Sequence, residues 1–278
     1  MSALTRNNVT LSGLEAGQPM VFSHGFGCDQ NMWRFVAPAF ESEYRIVLFD
    51  HVGAGASDLA AYDRAKYGSL QGYAHDVLEI CRELELTRTV FVGHSVSAII
   101  GVLAANQDPE RFASLILVSP SPRYIDDGDY LGGFSPQDIE ELLDSLDSNY
   151  LGWSREMAPL IMGNPDRPEL AAELTNSFCR TDPEILKHFA RVTFLSDNRA
   201  DLPNLTTPSL ILQCSVDPIA PQAVGRYIQK QIRESELVML DASGHCPNLS
   251  APEQTVAAIK AFLGGKPKDG SWVAETTL

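Results

Sequence analysis

Six short stretches of this chain are continuously apolar rather than alternating: residues 20–23, 45–50, 89–93, 114–118, 209–213 and 236–240. Each is bounded by turn residues and is too short for a helix. Such runs predict strands buried on both faces, as in a parallel sheet. Helical spacing lies between most of them. Over residues 70–84, Tyr73, Val77, Ile80, Cys81 and Leu84 share one stripe. Residues 97–106 are almost wholly apolar, which predicts a buried helix, while 220–232 and 252–263 are amphipathic. Strands alternating with helices and joined by right-handed crossovers predict an α/β fold with a doubly wound, mostly parallel sheet.

The alternation stops between residues 124 and 202. That stretch has no strand-like run. Pro136, Pro159, Pro165, Pro168 and Pro183 stand where helices start or where loops join them. Ser135-Pro136-Gln137-Asp138 combines a capping Ser, a Pro at the first helical position and an acid in the first turn. The sheet pattern resumes at Ser209, so the expected organisation is one sheet domain, 1–123 and 203–264, interrupted by a four-helix cap at 124–202. The breaker-rich 265–278 segment reads as a tail outside the core.

Composition narrows the function. The chain has 278 residues, 44% of them hydrophobic and 21% charged, which fits a soluble folded domain. Its 21 basic and 36 acidic residues leave a net charge of −15. That balance argues against nucleic acid, whose phosphates need a basic face, and against an anionic membrane surface. No run reaches about 18 apolar residues, so no membrane span is expected, and residues 1–8 lack an apolar stretch, so no secretory signal is expected. The five cysteines are scattered, without a Cys-x-x-Cys pair. They predict reduced thiols, no metal site and a cytoplasmic protein. No phosphate-cradling Gly-rich loop or ligand cluster calls for a cofactor, and a monomer is the expected state.

The chemistry gathers at strand ends. Val92-Gly93-His94-Ser95-Val96-Ser97 follows one strand and precedes the buried helix. A tight strand-to-helix turn there would lift the Ser95 hydroxyl off the sheet and aim the Val96 N–H at a developing oxyanion. Ser97 stands where the G-x-S-x-G pattern has its second Gly, a departure that Ser, as a small residue, tolerates. His24-Gly25-Phe26-Gly27 follows the first strand and would supply a second oxyanion donor, the Phe26 N–H. Asp217 follows a later strand and His245 the next, completing the order Ser, acid, base. Ser95 would attack an acyl carbon, His245 would take its proton, and Asp217 would orient the imidazole. His24, His51 and His94 suit supporting positions, and His188 falls in the cap. Asp50 precedes Ser95 and breaks the order. Asp241 lies on the strand leading to His245. Cys28 and Cys246 flank the site without an elbow of their own.

These motifs resemble those of the α/β-hydrolases. More narrowly, residues 24–33, 50–58 and 93–98 resemble the RsbQ-type hydrolases, the group of a bacterial stress-signalling hydrolase and the plant karrikin and strigolactone receptors. The Ser97 departure belongs to that group's pattern. The resemblance spans about residues 5–264 and implies a V-shaped four-helix cap over a mostly apolar pocket lined by Phe26, His94, Val96, Tyr124, Phe134, Trp153, Met157, Phe194 and Ile219. Read without it, Phe134, Trp153 and Phe194 would be cap core. It implies a hydrolase of small apolar esters or butenolide-type lactones. The alternative it implies is a small-molecule receptor that turns over slowly or once and docks a protein partner, a phosphatase-type regulator in the bacterial case. Carbon–carbon bond hydrolases and haloperoxidases share the fold and also use Ser. Haloalkane dehalogenases and epoxide hydrolases place Asp where Ser95 stands.

Overall fold

The computed structural model describes residues 1–264; the expected tail, 265–278, lies outside the described residues. The elements in order are α1 (Ala3–Arg6), β1 (Thr10–Gly13), β2 (Gln18–Ser23), β3 (Tyr44–Phe49), α2 (Leu70–Glu83), β4 (Thr89–His94), α3 (Val96–Gln107), β5 (Phe112–Val118), α4 (Pro136–Ser148), α5 (Tyr150–Met162), α6 (Pro168–Arg180), α7 (Pro183–Phe194), β6 (Ser209–Val216), α8 (Gln222–Gln231), β7 (Ser235–Ser243), α9 (Pro247–Ser250) and α10 (Pro252–Leu263). All six expected strands and the four expected flanking helices are present, and four helices fill the stretch between β5 and β6. The seven-stranded sheet has the order β1-β3-β2-β4-β5-β6-β7.

Every neighbouring pair is parallel except β1 with β3, which is antiparallel. The sequence pattern missed β1. Its four residues are largely exposed, and it pairs Thr10 to Leu48 through Gly13 to Arg45 along an edge. No apolar run marks such a strand, because its main chain does the work. After β3 the chain crosses back over β2 to β4, so the loops leaving β2 and β4 diverge from adjacent strand ends, Ser23 opposite Gly93. Sites form at such a switch point in open α/β sheets.

Side chains alternate between two cores, as strand geometry requires. Met20, Phe22, Val90 and Val92 face one core, which includes Trp33 and most of the buried face of α4–α7. Val21, Val47 and Phe91 face the other, beneath α2, α3 and α8. The start of α4 follows from its sequence: Ser135 Oγ accepts from Asp138 N at 3.1 Å, and Asp138 accepts from Ser135 N at 2.7 Å. This reciprocal cap satisfies two amides that the helix itself cannot.

Candidate active site

β4 ends in a sharp turn onto α3. Ser95 occupies it with φ +57°, a left-handed conformation that costs a non-glycine residue about 1–3 kcal/mol. The turn is held by Ser95 N donating to Val118 O at 2.8 Å. Close packing makes Gly93 obligatory, since a Cβ there would stand 2.4 Å from the Ser97 carbonyl oxygen. Ser95 Oγ thereby faces two groups, His245 Nε2 at 2.7 Å and the Tyr124 hydroxyl at 3.4 Å.

His245 comes from the loop after β7. Gly244, with φ +89°, turns the chain there, and its Cα face lies so close to Met162 O that a Cβ would be 1.9 Å away. His245 N donates to Ile161 O at 2.8 Å, and Ser243 Oγ donates to Gly163 O at 2.9 Å. The loop is therefore fastened to the C-terminal end of α5. On the far side of the ring, Nδ1 meets both carboxylate oxygens of Asp217 at 2.9 and 3.0 Å. The Ile219 and Ala220 amides donate to Asp217 Oδ1 and fix the carboxylate from behind. Ser95, His245 and Asp217 thus form one buried hydrogen-bonded line.

The loop after β2 lies beside it. Cys28 N donates to Gly25 O at 3.3 Å, closing a turn with Phe26 and Gly27 at its centre and Gly27 at φ +68°. Gly25 is pressed against the His94 ring, where a Cβ would lie 2.5 Å from Nδ1. Among the described residues, nothing accepts a hydrogen bond from the Phe26 or Val96 amide. Beneath the turn, Ser97 takes up the space a second glycine would leave. Its Oγ donates to His24 O at 2.5 Å and lies 2.8 Å from His51 Nε2, with Ser23 Oγ 2.9 Å away. His24 Nε2 in turn accepts from His51 N at 3.0 Å. Burial lowers the pKa of both imidazoles and of His94, which falls to about 3, so all three are neutral at pH 7.

A cavity opens over Ser95 and His245, lined by Phe26, His94, Tyr124, Trp153, Met157, Phe194 and Ile219 of the expected set. Its volume is about 30 Å³, small beside the several hundred Å³ of a typical ligand pocket. The aromatic rings account for this. Phe26 packs against Trp153, Phe178, Phe189 and Phe194 with centroids 5.6–6.3 Å apart. Burial pushes the Tyr124 phenol up to about 12, so it remains a donor. The thiols of Cys28 and Cys246 also line the cavity, and burial raises both well above their usual range, so neither is a thiolate.

Phe134 is a correction: it is not among the lining residues. Its main chain pairs with the 124–125 segment, and its half-buried ring packs into the core instead. The Val96 side chain is likewise core, leaving only its amide near Ser95. Cys28 and Cys246, expected to flank the site, line it, and Ile161, Leu174, Phe178 and Thr193 are lining residues not foreseen from the sequence. Leu170, Leu174 and Phe178 form a legible stripe on α6, but a stripe does not tell core from cavity.

Comparison with known proteins agrees with this architecture. Residues 20–259 match the model of the alpha/beta hydrolase family. The chain is 38% identical over 258 residues to the strigolactone esterase RMS3 of Pisum sativum, covering 92% of this chain and 96% of that one. It is 35% identical over 254 residues to the karrikin insensitive 2 receptor CA of Petunia hybrida, covering 91% and 94%. Among solved structures, a hydrolase from Oleispira antarctica superposes with a TM-score of 0.92 at 40% identity, covering 95% of this chain and 97% of that one. The chain therefore belongs to the alpha/beta hydrolase family, in the group that holds strigolactone esterases and karrikin receptors.

Proposed function

We propose that this protein is a serine hydrolase acting on small apolar esters or butenolide-type lactones. The observation that carries the reading is the line from Asp217 through His245 to Ser95, ending at an apolar cavity flanked by two free amides. Ser95 Oγ attacks the acyl carbon while His245 Nε2 takes its proton, and the amides of Phe26 and Val96 hold the oxyanion. Asp217 accepts from Nδ1–H and stabilises the imidazolium. Collapse expels the alcohol or enolate, which takes the proton from Nε2. Water, deprotonated by His245, then releases the acid and restores Ser95. The rings around Phe26 exclude bulk water and favour short apolar acyl groups. The name of the Pisum relative supports the ester and lactone class.

A second reading is a ligand receptor that hydrolyses slowly and engages a protein partner of the phosphatase-regulator kind. The small cavity favours it, because an ester-sized ligand enters only when the lining side chains move. The Petunia relative is named a receptor. Steady-state turnover of p-nitrophenyl acetate and of a synthetic strigolactone separates the two. Sustained turnover supports the enzyme; a single burst with a large thermal shift supports the receptor. Absence of both activities, with Ser95 unlabelled by a fluorophosphonate, overturns the nucleophile in either reading. Among the described residues no helix is long and apolar enough to cross a membrane.

A further inference from the structure

Helix α6 is seated directly on the turn that carries the Phe26 amide. Ser177 Oγ donates to Gly27 O at 2.7 Å. The next side chain, Phe178, lays its ring on the same glycine, so close that a Cβ on Gly27 would stand 2.1 Å from it. Phe178 is fully buried and also meets the Phe26 and Trp153 rings, with centroids 6.0 and 5.1 Å apart. One turn back on the helix, Glu173 makes a two-pronged ion pair with Arg34, at 2.7 and 2.6 Å. The turn has little support of its own at that point, since its closing hydrogen bond, Cys28 N to Gly25 O, is long at 3.3 Å. Gly27 has no side chain with which to resist rotation.

We propose that Ser177 and Phe178 are positioning residues that fix the direction of the Phe26 N–H, so that the oxyanion site is complete only while α6 is seated. The inference rests on the reading of Ser95 as nucleophile and of the Phe26 amide as oxyanion donor. The Gly27 carbonyl follows the Phe26 amide by one residue. Both lie in the turn that Cys28 N closes onto Gly25 O, so rotation at Gly27 opens that turn and frees the Phe26 amide with it. The Ser177 hydroxyl blocks the rotation by holding the carbonyl. The Phe178 ring blocks it by filling the space the glycine would move through. A donor held in advance where negative charge develops costs no reorganisation during reaction, and one that must be reoriented forfeits much of its value. Displacement of α6 would therefore switch off the chemistry, whereas movement of the other lining side chains would not.

The test uses the full chain with Ser177→Ala, Ser177→Thr, and Thr175→Ala as a control. Among the described residues, Thr175 Oγ1 bonds only within α6, to Ala171 O. Ser177→Ala should lower kcat for p-nitrophenyl acetate about tenfold with KM within about twofold. It should weaken a small trifluoromethyl ketone, which mimics the tetrahedral state, by the same factor. Ser177→Thr keeps the hydroxyl and should restore both, and Thr175→Ala should match wild type. The proposal is overturned by a folded Ser177→Ala protein with unchanged kcat or ketone affinity, by a loss confined to KM, or by an equal loss in Thr175→Ala. Equal activity in wild type and Ser95→Ala would instead bring down the underlying reading, and this inference with it.

Discussion

His94 donates a hydrogen bond from Nε2 to the main-chain carbonyl of His245, 2.7 Å away. The residue before Ser95 thus holds the backbone of the residue that bonds Ser95, and it does so as a neutral imidazole. Burial is the main cause of its low pKa of about 3, with the nearby His245 adding to it.

That neutrality predicts acid sensitivity. His24, His51 and His94 all have lowered pKa values in the folded protein. The unfolded chain takes up protons at about pH 6.5, where the folded one does not. The stabilisation is fully present above about pH 6.5 and is lost as the pH falls toward the folded values. Each histidine contributes a slope of up to about 1.4 kcal/mol per pH unit. Calorimetry should show Tm falling from about pH 7 to about pH 5, and His94→Asn should flatten the slope by about one proton. A Tm that does not move across this range contradicts the prediction.

Removing a member of the hydrogen-bonded line should abolish turnover without unfolding the protein. Ser95→Ala, His245→Ala and Asp217→Asn should each lower kcat/KM for p-nitrophenyl acetate by about four orders of magnitude. Steady-state assay alongside circular dichroism checks this, and near-wild-type activity in any of the three removes that residue from the mechanism.

The ring cluster should set acyl length. Phe194 contacts both Phe26 and Tyr124, with centroids 5.7 and 5.1 Å apart. Phe194→Leu should raise the ratio of butyrate to acetate hydrolysis severalfold, at a stability cost of about 1 kcal/mol. Rates across a series of p-nitrophenyl esters measure it, and an unchanged ratio would show that the cavity wall lies elsewhere.

Ser97 should matter more for stability than for chemistry. Its hydroxyl serves His24 O, His51 Nε2 and Ser23 Oγ, all buried. Ser97→Ala should cost about 1–3 kcal/mol by urea denaturation, and Ser97→Gly roughly 1 kcal/mol more, because glycine adds backbone entropy to the helix. Equal stability of the three proteins would mean that water replaces the hydroxyl.

Much of the site is legible in the sequence. Ser95, Asp217 and His245 each follow a strongly apolar strand, and a parallel sheet carries the ends of its strands to one edge. Strand β1 was not legible, because an exposed four-residue edge strand leaves no apolar trace. Phe134 and Phe178 show the limit more sharply. Both are phenylalanines of the inserted stretch that pack with the same core, yet only Phe178 also lines the cavity. The difference depends on how α6 meets Gly27, a contact between residues 150 positions apart. Periodicity within a single helix carries no information about it.

The bond from His245 N to Ile161 O makes a segment of the sheet domain and a segment of the inserted helices a single unit of inheritance. Gly163 and Gly244 lie so close that a Cβ on either would collide with the other segment's backbone. A chimera that borrows a relative's helices but keeps this chain's 241–246 loop would join two surfaces shaped for different partners. Recombination between relatives, natural or engineered, should therefore succeed when the end of α5 and the loop after β7 travel together.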